Sequence, residues 1–192
     1  MNYKNTQNSI PQSSNDASIK ENQDSNIKFD LVQTSRANKP SAKSISKPQQ
    51  GDSFKVRFLG SMNVKADRGN DYINETIRRV MGARASHNVF KLSEFNIVIN
   101  SESISLFSVP SDKDAEKMTE DLLSAKFEIS ELAFWCPHKD NERLFGFIIK
   151  EPNQSLRFKC HVFESDVNST VICETITQAT KIAFQLLIVR IF

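Results

Sequence analysis

Of two runs near the end of the chain, Leu144 to Ile149 is apolar on odd and even residues alike, and Phe158 to Phe163 is nearly so, with Lys159 and His161 the exceptions. Alternate side chains of a strand point to opposite faces, so strands written this way have no side to leave in water and need cover on both. Material for a cover follows directly. From Asp166, placed as an N-cap, Val167, Val171, Ile172, Ile176, Ala179, Ile182, Ala183 and Leu186 recur at helical spacing. They run for about 25 residues, roughly 37 Å at 1.5 Å per residue. The pattern predicts a long final helix laid over those strands.

The earlier chain supplies the rest of a sheet. Phe54, Val56 and Phe58 alternate with Lys55 and Arg57 and are ended by Gly60, which predicts a first strand from Ser53. Asn70 or Asp71 caps a helix whose Ile73, Ile77, Val80, Met81 and Arg84 share one face, with Glu75 near its start and Arg84 near its end suiting the macrodipole. Its expected place is over one open end of a sheet. Phe95–Ile99 and Ser103–Ser108 form a hairpin through Asn100-Ser101-Glu102. Ser111 and Asp114 resemble a capping box before Ala115, Met118 and Leu122, so residues 111–124 are read as an inserted surface helix.

Between Lys126 and Cys136 the apolar positions are Phe127, Ile129, Leu132, Phe134 and Cys136, an alternation that skips one register at Ser130-Glu131. A skipped register means a bulge or a corner, where a chain leaves one sheet and enters another at a steep angle. A polar turn, Pro137 to Glu142, follows. The expected fold class is α+β: a seven-stranded orthogonal β-sandwich capped by a long C-terminal α-helix, the pleckstrin-homology-like superfold. That fold hosts many functions and fixes none of them.

The chain is made of two materials. Residues 1–50 hold nine Ser, seven Asn and six Gln, and thirteen of the fourteen Phe come later. Such a polar stretch buries too little apolar surface to offset its ordering entropy, so residues 1–52 are expected to be a disordered tail and 53–192 the single domain. The tail carries seven Lys/Arg against four Asp/Glu and the remainder eighteen against nineteen. A near-neutral domain lacks the electrostatic footprint of a duplex binder, and no nucleic-acid partner is expected. With three Cys and no apolar run behind a basic start, secretion and a disulfide framework are not expected either. The longest apolar stretch, Ala183 to Phe192, is interrupted by Gln185 and Arg190 and falls short of the ~20 residues that span a bilayer.

Several short motifs carry a resemblance. Arg57-Phe58-Leu59-Gly60-Ser61-Met62 with Val64-Lys65, then Ala83-Arg84-Ala85 with His87-Asn88 and Phe90, then Asn141 with Arg143-Leu144-Phe145-Gly146-Phe147, and finally Cys160-His161-Val162-Phe163-Glu164-Ser165 resemble the phosphotyrosine-binding (PTB, or PID) domain of APPL-type endosomal adaptors. The likeness covers about Ser53 to Val189. APPL adaptors also carry membrane-curving and pleckstrin-homology domains upstream, so this chain is read as a fragment, a split gene product, or a relative using the module alone.

The resemblance implies a non-catalytic adaptor that takes an extended peptide, often containing Asn-Pro-x-Tyr, as an extra antiparallel strand beside the final helix. The implied receiving edge is Leu132, Ala133, Phe134, Trp135 and Cys136, with Thr177, Thr180 and Phe184 facing it from the helix. Many PTB helices carry Gln-Ala-Phe where this chain has Gln178-Ala179-Thr180, so the aromatic plate for the Asn-Pro turn is missing. Phe184 is either a partial substitute for it or a core residue. Trp135 is either a partner anchor or packing against the helix. The implied partners are cytoplasmic tails of membrane receptors or signalling proteins, and the implied place is cytoplasmic and endosome-associated. Phosphate reading needs a placed Arg fork; Arg157 and Lys159 are candidates without one, so phosphorylation-independent binding is expected. The alternative is a phosphoinositide membrane contacted through Lys65, Arg68, Arg78, Arg79 and Arg84, the other reading of these being a solvated helix face.

Thiols and imidazoles close in sequence raise the question of other chemistry. Cys136-Pro137-His138 and Cys160-His161 supply four nominal zinc ligands, but consecutive residues of a strand point to opposite faces, so Cys160 and His161 cannot reach one ion. A cysteine hydrolase would need Cys136 beside His138 or His161, and there is no nucleophile elbow or Gly-rich phosphate loop. No catalysis, metal or cofactor is expected.

Overall fold

The computed structural model describes residues 27–31, 51–109, 122–151 and 157–191. In chain order the elements are β1 (Ile27–Lys28), β2 (Asp52–Val64), α1 (Asn70–Ser86), β3 (Ser93–Ile99), β4 (Ser103–Ser108) and β5 (Leu123–Glu128). A 3-10 turn at Ile129–Glu131 leads to β6 (Leu132–Pro137), β7 (Leu144–Lys150), β8 (Phe158–Ser165) and α2 (Ser169–Ile191). The strands pair antiparallel in the order β5-β4-β3-β2-β8-β7-β6, with β1 added on β2. The path has the expected seven strands, and β1 makes an eighth.

β2 holds the two halves of the sheet together. Its residues Asp52 to Phe58 pair with β3, and Val56 to Val64 pair with β8. Gly60 does not end this strand, as its sequence suggested. It sits at a register shift between Phe58 and Gly60, with φ 155°, where the strand bulges and continues. The bulge changes which parity faces which side: Val56 and Phe58 enter one core, while Leu59 and Met62 enter the other.

Two apolar layers result. In the larger, Phe58, Phe127, Phe145, Phe147 and Phe163 are fully buried together with Ile172, Cys173, Ile176 and Ala179 of α2. Each buried Phe contributes about 1.5–3 kcal/mol of transfer free energy. In the smaller, α1 seats Ile73, Ile77, Val80 and Ala83 on Leu59, Met62, Leu144, Ile148, Cys160 and Val162. The cover for β7 and β8 is therefore shared. α2 closes one face, and α1, expected only at an open end, closes the other.

Other boundaries move for identifiable reasons. Met81, expected on the buried face of α1, is exposed, while Arg84 is buried. Asn168 rather than Asp166 caps α2: its Oδ1 accepts the Thr170 N–H at 2.9 Å, and Asp166 is engaged by Arg57 at 2.9 Å and Arg143 at 3.4 Å. Val167, Val171, Ile182 and Leu186 are exposed, so the buried stripe of α2 is narrower than its composition implies. By length and composition Ser169–Val189 would suffice to cross a bilayer, but its first turns are built into the core through Ile172, Cys173, Ile176 and Ala179. Residues 110–121, most of the expected inserted helix, lie outside the described residues; Leu123 and Ser124, placed at its end, instead open β5. The expected tail is not structureless throughout, since Ile27–Leu31 dock on β2 and α1; 1–26 and 32–50 lie outside the described residues.

The corner at Ser130-Glu131 is where the skipped register placed it. β5 ends at Glu128, the 3-10 turn carries the chain from one end strand of the order to the other, and the Ile129 N–H donates to the Glu102 carbonyl at 2.9 Å. Gly146 is a point of close approach of α1 to the sheet: a Cβ there would lie 3.0 Å from Ile73 Cγ2 and 3.1 Å from the His161 carbonyl oxygen. Gly146→Ala is expected to destabilise the protein by about 1–3 kcal/mol in urea unfolding.

Candidate functional site

β6 is an end strand of the sheet and pairs with β7 alone among the described residues. α2 packs on it more extensively than on any other strand. One side chain hydrogen-bonds across the two. The Trp135 indole N–H is shared between the Cys173 carbonyl at 3.2 Å and Thr177 Oγ1 at 3.1 Å, and the ring packs on the larger core. Trp135 is thus a tie between strand and helix. The sequence could not show this, because its partners lie 38 and 42 positions away.

The remaining edge residues divide between the two layers. Leu132 packs on the larger core; Ala133 and Phe134 pack on the smaller one, and Cys136 is buried in it. On α2, Thr177 and Thr180 are half-buried and donate their hydroxyls back to the Cys173 and Ile176 carbonyls, both at 2.8 Å. Neither hydroxyl proton is on offer to a ligand. Phe184 is 62 % exposed, so it is not a core residue. At spacings of three and four it shares a helix face with Thr177 and Thr180. The edge thus combines strand backbone that is unpaired among the described residues with a helix face of two threonines and an exposed phenylalanine.

An open cleft of about 560 Å³ adjoins the far end of β6, between α1, the β6–β7 turn and the start of α2. Its walls carry Lys139 against Asp140 and Glu142, and the His138 Nδ1 accepts the N–H groups of Asp140 and Asn141 at 3.2 Å. That mixture has no bias toward a phosphate. Lys159, a candidate for phosphate recognition, is largely buried and paired with Glu151 at 2.8 Å.

The basic residues near α1 do not form one patch. Arg84 is buried: its guanidinium donates to the Leu59 carbonyl at 2.8 Å and the Lys91 carbonyl at 2.7 Å, and burial lowers its pKa. It buttresses the helix end and is withdrawn from any membrane surface, which corrects its assignment to a lipid-facing cluster. Arg68 pairs with Asp67 at 3.0 Å and Arg78 with Glu75 at 2.6 Å; hydrogen bonds from these arginines hold both carboxyls below their ordinary range. Lys65 is exposed, and Arg79 is half-buried.

The thiols and imidazoles are separated as strand alternation requires. Cys160 lies in the smaller core, whereas His161 sits among Phe58, Phe127 and Phe147 in the larger. Burial pushes the Cys136 thiol up to about 11 and Cys160 and Cys173 to about 12, so none carries nucleophilic thiolate near neutrality.

The family model of the phosphotyrosine interaction domain (PTB/PID) matches residues 54–188, from early in β2 to the last turn of α2. The chain belongs to the PTB/PID family. Two relatives of this PTB domain are DCC-interacting protein 13-alpha and 13-beta of Homo sapiens, 31% identical over 134 residues and 33% over 131. The matches cover 68% and 67% of this chain and 18% of each relative, so the chain spans less than a fifth of their length. They are the APPL-type proteins whose motifs the sequence resembles. The human PTB domain-containing engulfment adapter protein 1 is 28% identical over 133 residues, 69% of this chain and 41% of that protein. The solution structure of the C-terminal phosphotyrosine interaction domain of mouse APBB2 superposes with a TM-score of 0.56 at 23% identity, covering 74% of this chain and 96% of that one, and shares the fold. At the level of its family, this is a non-catalytic protein-interaction module of adaptors.

Proposed function

We propose that this PTB domain binds short cytoplasmic peptide segments, of Asn-Pro-x-Tyr or variant sequence, by adding them as a strand to the free edge of β6. What supports the reading is the unpaired edge of β6 with α2 fixed alongside it by Trp135. Main-chain hydrogen bonds along Leu132–Cys136 would supply affinity, and the face made by Thr177, Thr180 and Phe184 would select side chains. With Thr180 where many PTB helices carry a Phe, the aromatic contact falls to Phe184, one turn later. The adjoining cleft, with Lys139 outnumbered by Asp140 and Glu142, favours binding that does not depend on phosphorylation. The partners would be tails of membrane receptors or signalling proteins, met in the cytoplasm and on endosomes.

Titrating the full chain with Asn-Pro-x-Tyr peptides, phosphorylated and not, is expected to give saturable binding of similar strength for both forms, followed by Trp135 fluorescence. Phe184→Asp should weaken it by about tenfold or more without moving the thermal midpoint, because this side chain is largely in water. Saturable binding to phosphoinositide vesicles with none to any peptide would overturn the reading in favour of membrane recruitment.

A further inference from the structure

β3 uses only part of the β2 edge it pairs with. It covers Asp52 to Phe58 and begins at Ser93, so the stretch of β2 beyond Phe58 has β8 on one side and no contribution from β3 on the other. The gap is filled from the N-terminal leader. Ile27 pairs with Met62 and Lys28 with Ser61, antiparallel. Five residues make the strap, and they alternate: Ile27 is buried and Phe29 and Leu31 half-buried, while Lys28 and Asp30 are exposed.

The strap lies in a groove shaped for it. Ile27 and Phe29 pack on the layer beneath α1, and Leu31 reaches the larger core. The Phe29 ring lies 5.5 Å from the Arg84 guanidinium and meets the His87 ring nearly edge-on at 6.4 Å. A Cβ on residue 60 would lie 3.0 Å from the Lys28 carbonyl oxygen and 3.5 Å from the Phe29 ring. The groove is open to a passing backbone because Gly60 has no side chain.

We propose that the groove between α1 and the second half of β2 is a separate docking site for an extended segment of pattern apolar-x-aromatic-x-apolar, whose resident occupant is this chain's own Ile27–Leu31, held as an exchangeable ligand. The site is distinct from the β6 edge, since β8 and β7 stand between β2 and β6 in the sheet. The occupant enters as strand addition does, through register on an open edge and alternate side chains in pockets. Two paired residues and three apolar side chains make a weak ligand by themselves. Covalent connection raises its local concentration to the millimolar range, which holds a weak ligand in place and still lets it exchange. Residues 32–50 connect the strap to β2, and nineteen residues reach up to about 65 Å extended, ample for the roughly 33 Å of strand between Gly51 and Ser61.

The test uses the full chain carrying Ile27→Asp and Phe29→Asp, which disables the resident strap, and a fluorescein-labelled synthetic peptide of residues 25–33. The variant, with a cooperative thermal transition retained, is expected to bind the peptide saturably and at least about tenfold more tightly than the wild-type chain. Amide shifts should fall at Ser61, Met62 and His87. A folded variant that binds no better than wild type, or shifts that map to Leu132–Cys136, would overturn the proposal. Native-state hydrogen exchange of the wild-type chain decides the matter if the variant does not fold. Of the two strap residues paired with β2, Ile27 and Lys28, the amide bonded across the ladder should be protected yet exchange at least about tenfold faster than those of Val56 and Phe58, through a local opening. Protection equal to Val56 would make the strap an integral strand, and no protection would mean it is not docked; either result overturns the proposal.

Discussion

His161→Leu is expected to stabilise the protein by about 1–3 kcal/mol at neutral pH and by more in acid, because it removes a buried imidazole with no hydrogen-bond partner. The ring is fully buried on the α2 side of β8, with centroids 4.9 Å from Phe127, 5.5 Å from Phe147 and 6.2 Å from Phe58, and neither ring nitrogen has a hydrogen-bond partner among the described residues. Burial, with a smaller contribution from the Lys159 charge, pushes its pKa down to about 3. The unfolded chain titrates near the ordinary value of 6.5. Between those two values the unfolded state binds the proton and the folded state does not, so stability is full above pH 6.5 and falls as the pH drops toward 3. The slope approaches about 1.4 kcal/mol per pH unit in that window. Leucine has a similar volume and titrates nothing, so the gap between variant and wild type should widen from pH 7 to pH 4. Urea midpoints at four pH values check this. A gap that stays constant with pH would mean that His161 titrates normally in the folded protein.

That residue also illustrates what is legible in a sequence of this kind. Phe147, His161 and Phe163 fall on one parity and Ile148, Cys160 and Val162 on the other, so the residues by themselves demand cover on both faces. The missed register at Ser130-Glu131 likewise places the corner, because a strand cannot skip a residue without changing faces. Gly60 misleads because a glycine that ends a strand and a glycine that bulges one look alike locally; the difference lies in β8, whose register shifts a hundred residues away in sequence. Arg84 misleads for the same kind of reason. A basic residue in the last turn of a helix suits the macrodipole in water, and only the Leu59 and Lys91 carbonyls, supplied by other segments, turn it inward. The strap has no local signal, because three alternating apolar residues in a polar leader mean nothing until an open edge meets them.

The proposed peptide edge depends on long-range placement too, and most of that dependence falls on one side chain. Trp135→Ala is expected to cost about 2–4 kcal/mol in urea unfolding and to weaken peptide binding by about tenfold or more, whereas Trp135→Phe should cost under about 1 kcal/mol and keep binding. The contrast follows from the hydrogen bonds. Thr177 Oγ1 donates to the Cys173 carbonyl at 2.8 Å with or without the indole, so losing the Trp135 N–H leaves no buried group stranded. The loss on truncation is therefore packing: the ring that ties β6 to α2 disappears, leaving the helix held by Ile172, Cys173, Ile176 and Ala179 in the larger core with its spacing from β6 no longer fixed by Trp135. A peptide strand added to β6 needs α2 at a fixed distance to meet its side chains, so stability and affinity should fall together in alanine and survive together in phenylalanine. Titration of each variant with the same Asn-Pro-x-Tyr peptide, at a temperature where both are folded, separates the two effects. If Trp135→Ala loses stability but binds the peptide as wild type does, the position of α2 beside β6 is irrelevant to docking and the ligand lies elsewhere.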